Sequence, residues 1–410
     1  MTAAPTVSPD RRCVIFFFEG WLGVQPTLIN LARSLSSAGY SVTIYASPTS
    51  YPDAGGLGPG VKVEYLPAGG LLALADKVAA LPGLARVAGI RQRLAPWEFA
   101  FRSCYAELRQ RSRAPERTVY IGVDSRGAMA ASLSSALLRR SYAFLSLELR
   151  LTEAQLSGLR GMVGRSIFSH AACVVVQGKD RLEVLNRQFG SNPDNVFFLP
   201  NGPLPHSKPS VAGSNLLRTR LAIAPGMRIA LQAGMIDDAT CSQELNRGFA
   251  PLADWALVFH ERHRRSPDEP YLARLREANP RNLYLSLEPV PYDDIDQIYS
   301  AADVGLAFYR PAGPDDQNFS QISSSGKLPH YLQQGKPVLV CNLPYMVELI
   351  AEFECGAVIK DPSDSMELRR ALDRISSRYD EFSRNARACY DARFNFSKGA
   401  RELMQFFEQL

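Results

Sequence analysis

Long apolar runs are missing from this chain of 410 residues. Nothing in it approaches the roughly 20 consecutive apolar residues that a membrane-spanning helix needs. The first ten residues are small and polar, and the apolar run Val14–Phe18 is only strand-length, so no signal peptide is expected. The expected location is the cytoplasm, with peripheral contact at the inner membrane face left open. Histidine is scarce: the five present form neither HExxH nor another zinc spacing, so no metal is expected. The seven cysteines (13, 104, 173, 241, 341, 355 and 389) include no CxxC. Their odd number and apolar neighbours predict buried thiols rather than a disulfide framework. The turn EGWLG after the first apolar run lacks GxGxxG, which argues against an NAD or FAD enzyme. A P-loop and a GxSxG are also missing, which disfavours an NTPase or a hydrolase.

What is present is enough apolar residue for two cores, at 46% of the chain. Charge is uneven. Residues 1–200 carry 22 Lys and Arg against 14 Asp and Glu, whereas residues 201–410 carry 24 against 27. Much of the excess lies between Arg86 and Arg117, where Arg91, Arg93, Arg102, Arg109, Arg111 and Arg113 alternate with apolar residues. Such a face suits an anionic surface or acceptor; a solvated helix face reads equally well. No nucleic-acid module accompanies it, so no nucleic-acid partner is expected.

The pattern is α/β throughout. Strands are predicted at Cys13–Phe18, Ser41–Ala46, Val61–Leu66, Val119–Val123, Tyr142–Ser146, Ala172–Gln177 and Val196–Leu199. Pro26 opens a helix over Thr27–Ala38, closed by Gly39. Leu71–Arg111 reads as helical with breaks near Pro82–Gly83 and Pro96, and a loop Asp124–Gly127 precedes a helix Ala128–Leu138. PNGPLPHSKPSVAGSN, from Pro200 to Asn215, holds neither helix nor strand and marks a boundary. Strands then resume at Arg228–Gln232, Trp255–Phe259, Leu283–Leu285, Val304–Phe308 and Val338–Cys341, and Ser365–Leu410 reads as nearly all helix. The expected organisation is a Rossmann-like domain over 1–202 with a basic helical segment at 71–113, and a second over 203–392. A final helix, 393–410, crosses back to the first, and the two doubly wound domains face a central cleft.

The segment SSSGKLPHYLQQGKPVLV, Ser323–Val340, carries the strongest chemical signal. It reads as a polar loop, an amphipathic helix, a Gly turn and a buried strand. Backbone amides at such a helix start, together with Lys327, suit a diphosphate. The alternative is a solvated lysine, although a cation there opposes the helix dipole. His330, one turn on, could meet phosphate or ribose, or make an ordinary hydrogen bond. Asp124, Arg126 and Glu148 follow predicted strands, where open sheets bind ligands, and are acceptor-side candidates. An Asx turn for Asp124 and a cap or surface pair for Glu148 are the plainer readings. Lys327, His330 and Asp124 are the catalytic candidates.

Four stretches give this chain a family likeness over residues 12–405. They are EGWLGVQPTLINLARSLSSAGYSVTIYA; PNG at 200–202 with LQAG at 231–234; VPYDDIDQIYSAADVGLAFY; and SSSGKLPHYLQQGKPVLV. In order and spacing the chain resembles the GT-B glycosyltransferases, and its second half the retaining family 4 group. The resemblance implies transfer of a sugar from a nucleotide-diphosphate sugar to a glycan, a lipid-linked intermediate or another hydroxyl acceptor, with retention. The nucleotide sugar is a co-substrate, and no cofactor or metal is implied. Ser324, Ser325, Gly326 and Lys327 would meet the diphosphate, with Gly234 beside it. The base would pack at Leu287–Val290, and the Gly23 loop would approach donor sugar and phosphates from the first domain. Two departures stand out. Ile322 and His330 occupy the places of two family glutamates, and Met235-Ile236-Asp237-Asp238 follow Gly234 where relatives carry a cation. These departures motivate an alternative, a non-catalytic GT-B-like partner of a transferase; a nucleotide-sugar epimerase of the same fold is weaker.

Overall fold

The computed structural model describes residues 11–49, 55–67, 69, 85–110, 117–149, 158–204, 214–311 and 325–410. They divide into two units, one ending at Leu199 and regaining Ser397–Leu410, the other spanning Pro200–Phe396.

Continuous apolar strands separated by helices fold into parallel sheets covered on both faces. The first unit contains β1 (Arg11–Phe17), α1 (Pro26–Ser37), β2 (Ser41–Ala46), β3 (Val61–Tyr65), α2 (Ala85–Gln110) and β4 (Arg117–Val123). After these come α3 (Asp124–Leu138), β5 (Tyr142–Leu145), α4 (Gly158–Ser169), β6 (Cys173–Val176), α5 (Lys179–Phe189) and β7 (Val196–Phe198). The strands pair in the order β3-β2-β1-β4-β5-β6-β7, all parallel. Central β1 is buried from Arg12 to Phe17, where full burial of each large apolar side chain contributes about 1.5–3 kcal/mol.

The second unit contains α6 (Leu216–Leu221), β8 (Arg228–Gly234), α7 (Ser242–Phe249), β9 (Trp255–Glu261), α8 (Pro270–Ala278), β10 (Leu283–Ser286), α9 (Ile295–Ser300) and β11 (Val304–Ala307). It continues with α10 (Lys327–Gln333), β12 (Val338–Cys341), α11 (Pro344–Phe353), β13 (Gly356–Ile359), α12 (Ser365–Ser377) and α13 (Tyr379–Cys389). Its sheet runs β10-β9-β8-β11-β12-β13, again all parallel. The last helix, α14 (Phe396–Phe407), packs within the first unit. Phe406 meets Phe197 with ring centroids 5.2 Å apart, and Arg11 pairs with Glu408 at 2.9 Å. All seven cysteines are buried thiols.

Several sequence expectations are corrected. Helix α2 runs straight through Pro96, although an interior proline costs about 3 kcal/mol. Tertiary contacts outweigh that cost: Phe99, Ala100 and Cys104 are buried, and Arg12 grips Glu107 with two bonds of 2.7 and 2.8 Å. Tyr45 donates a further bond of 2.9 Å to the same carboxylate. Asp124–Gly127 is the first turn of α3, not a loop. Helix α10 is not amphipathic, because Lys327 to Leu332 are all buried. β13 was not expected, and a π-helical turn, Tyr390–Phe394, interrupts the terminal helical region. The expected 71–113 segment lies in part outside the described residues, as do Ile322 and Ser324.

Candidate functional site

An open parallel sheet binds ligands outside the carboxyl ends of its strands, where the strand order reverses. The reversal falls between β8 and β11 in the second sheet and between β1 and β4 in the first. Each unit therefore has its own candidate site.

In the second unit the reversal brings together Gly234 at the end of β8, Tyr309 just past β11, and Lys327 at the start of α10. Gly234 has φ of +120°, a conformation that favours glycine, and a Cβ there would lie 3.6 Å from the Lys327 Nζ. The ammonium sits 4.8 Å from the centroid of the Tyr309 ring. Lys327 is buried, and its Nζ makes no hydrogen bond to any described residue. Burial pulls this ammonium down from 10.5 to about 8; the nearby Asp237 carboxylate opposes that shift, and Arg262 reinforces it. Asp237 is already engaged, accepting the Thr240 N–H at 3.0 Å in a capping turn. A buried cation without a partner is costly, and an anion entering this site would relieve it.

Tyr331 fixes the surrounding backbone. Its ring lies against Gly305, where a Cβ would come within 2.3 Å of it. Its hydroxyl donates to Leu231 O at 2.7 Å and accepts from Ala233 N at 3.0 Å, next to Gly234. Ser325 Oγ shares a 2.5 Å hydrogen bond with Tyr309 Oη and accepts from Leu328 N at 3.4 Å. Gly326 occupies the N-cap position, and a Cβ on it would stand 3.2 Å from the Asn201 amide nitrogen. Since α10 is under two turns long, its dipole is weak and Lys327 must supply most of the local charge.

His330, one turn beyond Lys327 in α10, makes contacts of its own. Its ring stacks on Tyr299 at 4.6 Å and 9°, and Nδ1 lies 3.5 Å from Asp296 Oδ1. Tyr292 meets the same imidazole edge-on at 6.1 Å. Leu287 and Val290 are half-buried, packed against the hydrophobic cores on either side of the second sheet.

In the first unit, Asp124 directly follows β4 and holds a left-handed φ of +52°. Its Oδ1 accepts from Leu147 N at 2.7 Å and Glu148 N at 3.0 Å, which ties the end of β4 to the end of β5. This bridge replaces the expected Asx turn. Burial pushes the Asp124 carboxyl well above the carboxylate range, to about 8, and the Glu19 charge adds to the shift. Arg126 lies 3.8 Å from Glu19 and over Phe18 at 5.1 Å. Glu148, half-buried, contributes its backbone N–H to the bridge. Gly23 lies in a 3-10 turn; the demanding position is Gly20, with φ of +80° and a would-be Cβ 1.9 Å from Ser47 O.

The structure thus joins Gly234, Ser325, Gly326 and Lys327 in one site and Asp124, Arg126 and Glu148 in the other. Sequence reasoning missed Tyr331, Tyr309, Arg262 and Arg181. Arg262 follows β9 and donates to Met235 Sδ at 3.2 Å, restoring a cation beside a loop that has none of its own. Arg181, in the first turn of α5, is buried near Asp124 and Glu148, with Nε and Nη1 bonded to no described residue. The available signal was position, because Tyr309 and Arg262 lie just beyond strand ends and Arg181 in the first turn of the helix after β6.

Comparison with known proteins identifies the fold. Sucrose-phosphate synthase from Thermosynechococcus elongatus has a similar structure, with TM-score 0.63 and 17% identity over 97% of this chain and 99% of that one. HepE of Anabaena in complex with UDP gives TM-score 0.66 and 14% identity, covering 97% and 100%. A glycosyltransferase from Rickettsia africae gives 0.69 and 11%, covering 98% of each chain. No curated protein sequence matches the chain. The protein has the GT-B fold of glycosyltransferases. Residues 23–202 match the family described as Glycosyl transferase 4-like domain.

Proposed function

We propose that the protein transfers a glycosyl group from a nucleotide-diphosphate sugar to a hydroxyl acceptor. One observation carries this reading: the buried Lys327 ammonium at the strand-order reversal of the second sheet, which no described residue meets with a hydrogen bond. In such a transfer the bond from C1 to the diphosphate oxygen breaks as the acceptor oxygen bonds C1. Negative charge grows on the leaving diphosphate, and a prepositioned cation stabilises it. Lys327 fills that role, with Arg262 as a second cation and Ser325 as a hydroxyl donor. Retention is the course that the family resemblance implies; in it the departing phosphate takes the acceptor proton, and no side-chain base is needed. The acceptor is a glycan, a lipid-linked intermediate or another hydroxylated molecule, met by the Asp124, Arg126 and Glu148 side. UDP in the HepE structure makes uridine nucleotides the first to test.

The test is a thermal-shift and calorimetric screen of UDP, GDP, TDP, CDP and ADP with their sugar conjugates, followed by assay of nucleotide release. Saturable stabilisation by one nucleotide family, with turnover of its sugar conjugate, is the expected result. Well-folded protein that responds to none of them overturns the proposal.

A further inference from the structure

Helix α2 is apolar on two faces, and among the described residues only one is packed into the unit. Phe99, Ala100 and Cys104 are buried, and Glu107 is held by Arg12 and Tyr45. On the other face Leu94, Trp97, Phe101, Tyr105 and Leu108 remain between 40 and 62% exposed. At 3.6 residues per turn these five fall within about 80° of arc and along about 21 Å of helix. The Trp97 and Phe101 rings stack at 6.4 Å, forming a continuous apolar ridge rather than scattered exposed residues.

Charge says what covers this ridge. The helix sequence carries five arginines against two glutamates, and one of those glutamates, Glu107, is buried in its ion pair. The other, Glu98, lies 3.8 Å from Arg102. Arg109 sits 5.9 Å from the Tyr105 ring centroid. Beside the ridge is a groove of about 500 Å³, whose lining includes Leu66, Phe101, Tyr105, Arg102 and Arg109. Exposed aromatic rings flanked by Arg102 and Arg109 on a helix lying flat suit a headgroup region, where the rings enter and the arginines reach phosphates. A second copy is a poor fit, since a twofold contact would bring the arginines beside this ridge, Arg102 and Arg109, toward those of the other copy. Among the described residues no helix is long and apolar enough to cross a membrane, so the helix would lie on the bilayer.

We propose that the outer face of α2 docks the protein on an anionic lipid bilayer. This surface is independent of the transferase reading. The test is co-sedimentation with vesicles of phosphatidylcholine alone and of equal parts phosphatidylcholine and phosphatidylglycerol, with tryptophan emission recorded alongside. Binding to the mixed vesicles only, weakening with salt, is expected. The double variant Phe101→Ser, Tyr105→Ser should lose about tenfold in partitioning. Arg109→Ser should lose about fivefold. Trp97→Phe should abolish the blue shift. These side chains are exposed, so unchanged thermal unfolding will show that the variants fold. Equal binding to both vesicle types, binding to neither, or unaltered partitioning of the double variant overturns the proposal. A concentration-dependent dimer abolished by the double substitution overturns it in favour of a second copy.

Discussion

Replacing Lys327 by methionine should make the protein more stable and much weaker at holding a nucleoside diphosphate. A lysine held at about 8 rather than 10.5 carries its charge at pH 7 at a cost of about 3 kcal/mol. Methionine keeps the apolar stem beside Tyr309 and removes that charge. The upper limit of the gain at pH 7 is therefore about 3 kcal/mol, or roughly 6–12 °C for a unit of this size. The sign fixes the pH dependence. The folded wild type binds fewer protons than the unfolded chain between about pH 8 and 10.5, so its stability rises across that window. The advantage of Lys327→Met should accordingly shrink at pH 10. Calorimetric unfolding at pH 7 and pH 10, with and without nucleotide, measures both effects. A variant less stable than wild type at pH 7 refutes the argument from a costly buried cation. An equal ligand-induced shift in both proteins refutes the diphosphate role.

Other substitutions test the supporting structure. Asp124→Asn keeps the Oδ1 acceptor for Leu147 and Glu148 while removing a carboxyl whose folded value is raised. Wild-type stability from this group is full below about pH 4 and lost as pH rises through about 8, so the variant should melt higher at pH 8 and equally at pH 4. Tyr331→Phe leaves Ala233 N–H unpaired beside Gly234 and should cost about 1–3 kcal/mol in denaturant unfolding. Glu107→Ala strands the buried Arg12 and should cost about 3–5 kcal/mol by the same measurement. Gly20→Ala forces a Cβ onto Ser47 O at positive φ and should destabilise by more than about 2 kcal/mol.

The sheets were legible because their strands are short continuous apolar runs; Ser41–Ala46 and Val338–Cys341 were placed to the residue. Their spatial order was not, since it depends on which crossovers pass over which sheet face. Gly234 and Lys327 were legible through motif position. Their contact was not, because it requires the order β8-β11 and a helix buried all round. Nothing local marks the Tyr331 hydroxyl as the partner of β8, about 100 residues earlier. Pro96 failed as a break for the same reason: the Arg12–Glu107 pair that overrides it is remote in sequence.

The most direct test of the account is the proton balance of nucleotide binding. Titration calorimetry with UDP at pH 8, in two buffers of different ionisation enthalpy, measures protons taken up on binding. A lysine titrating at about 8 is half-charged there, so binding of the diphosphate should draw in up to about half a proton, and Lys327→Met should bind far more weakly. Tight binding without proton uptake, unchanged in the variant, would contradict it.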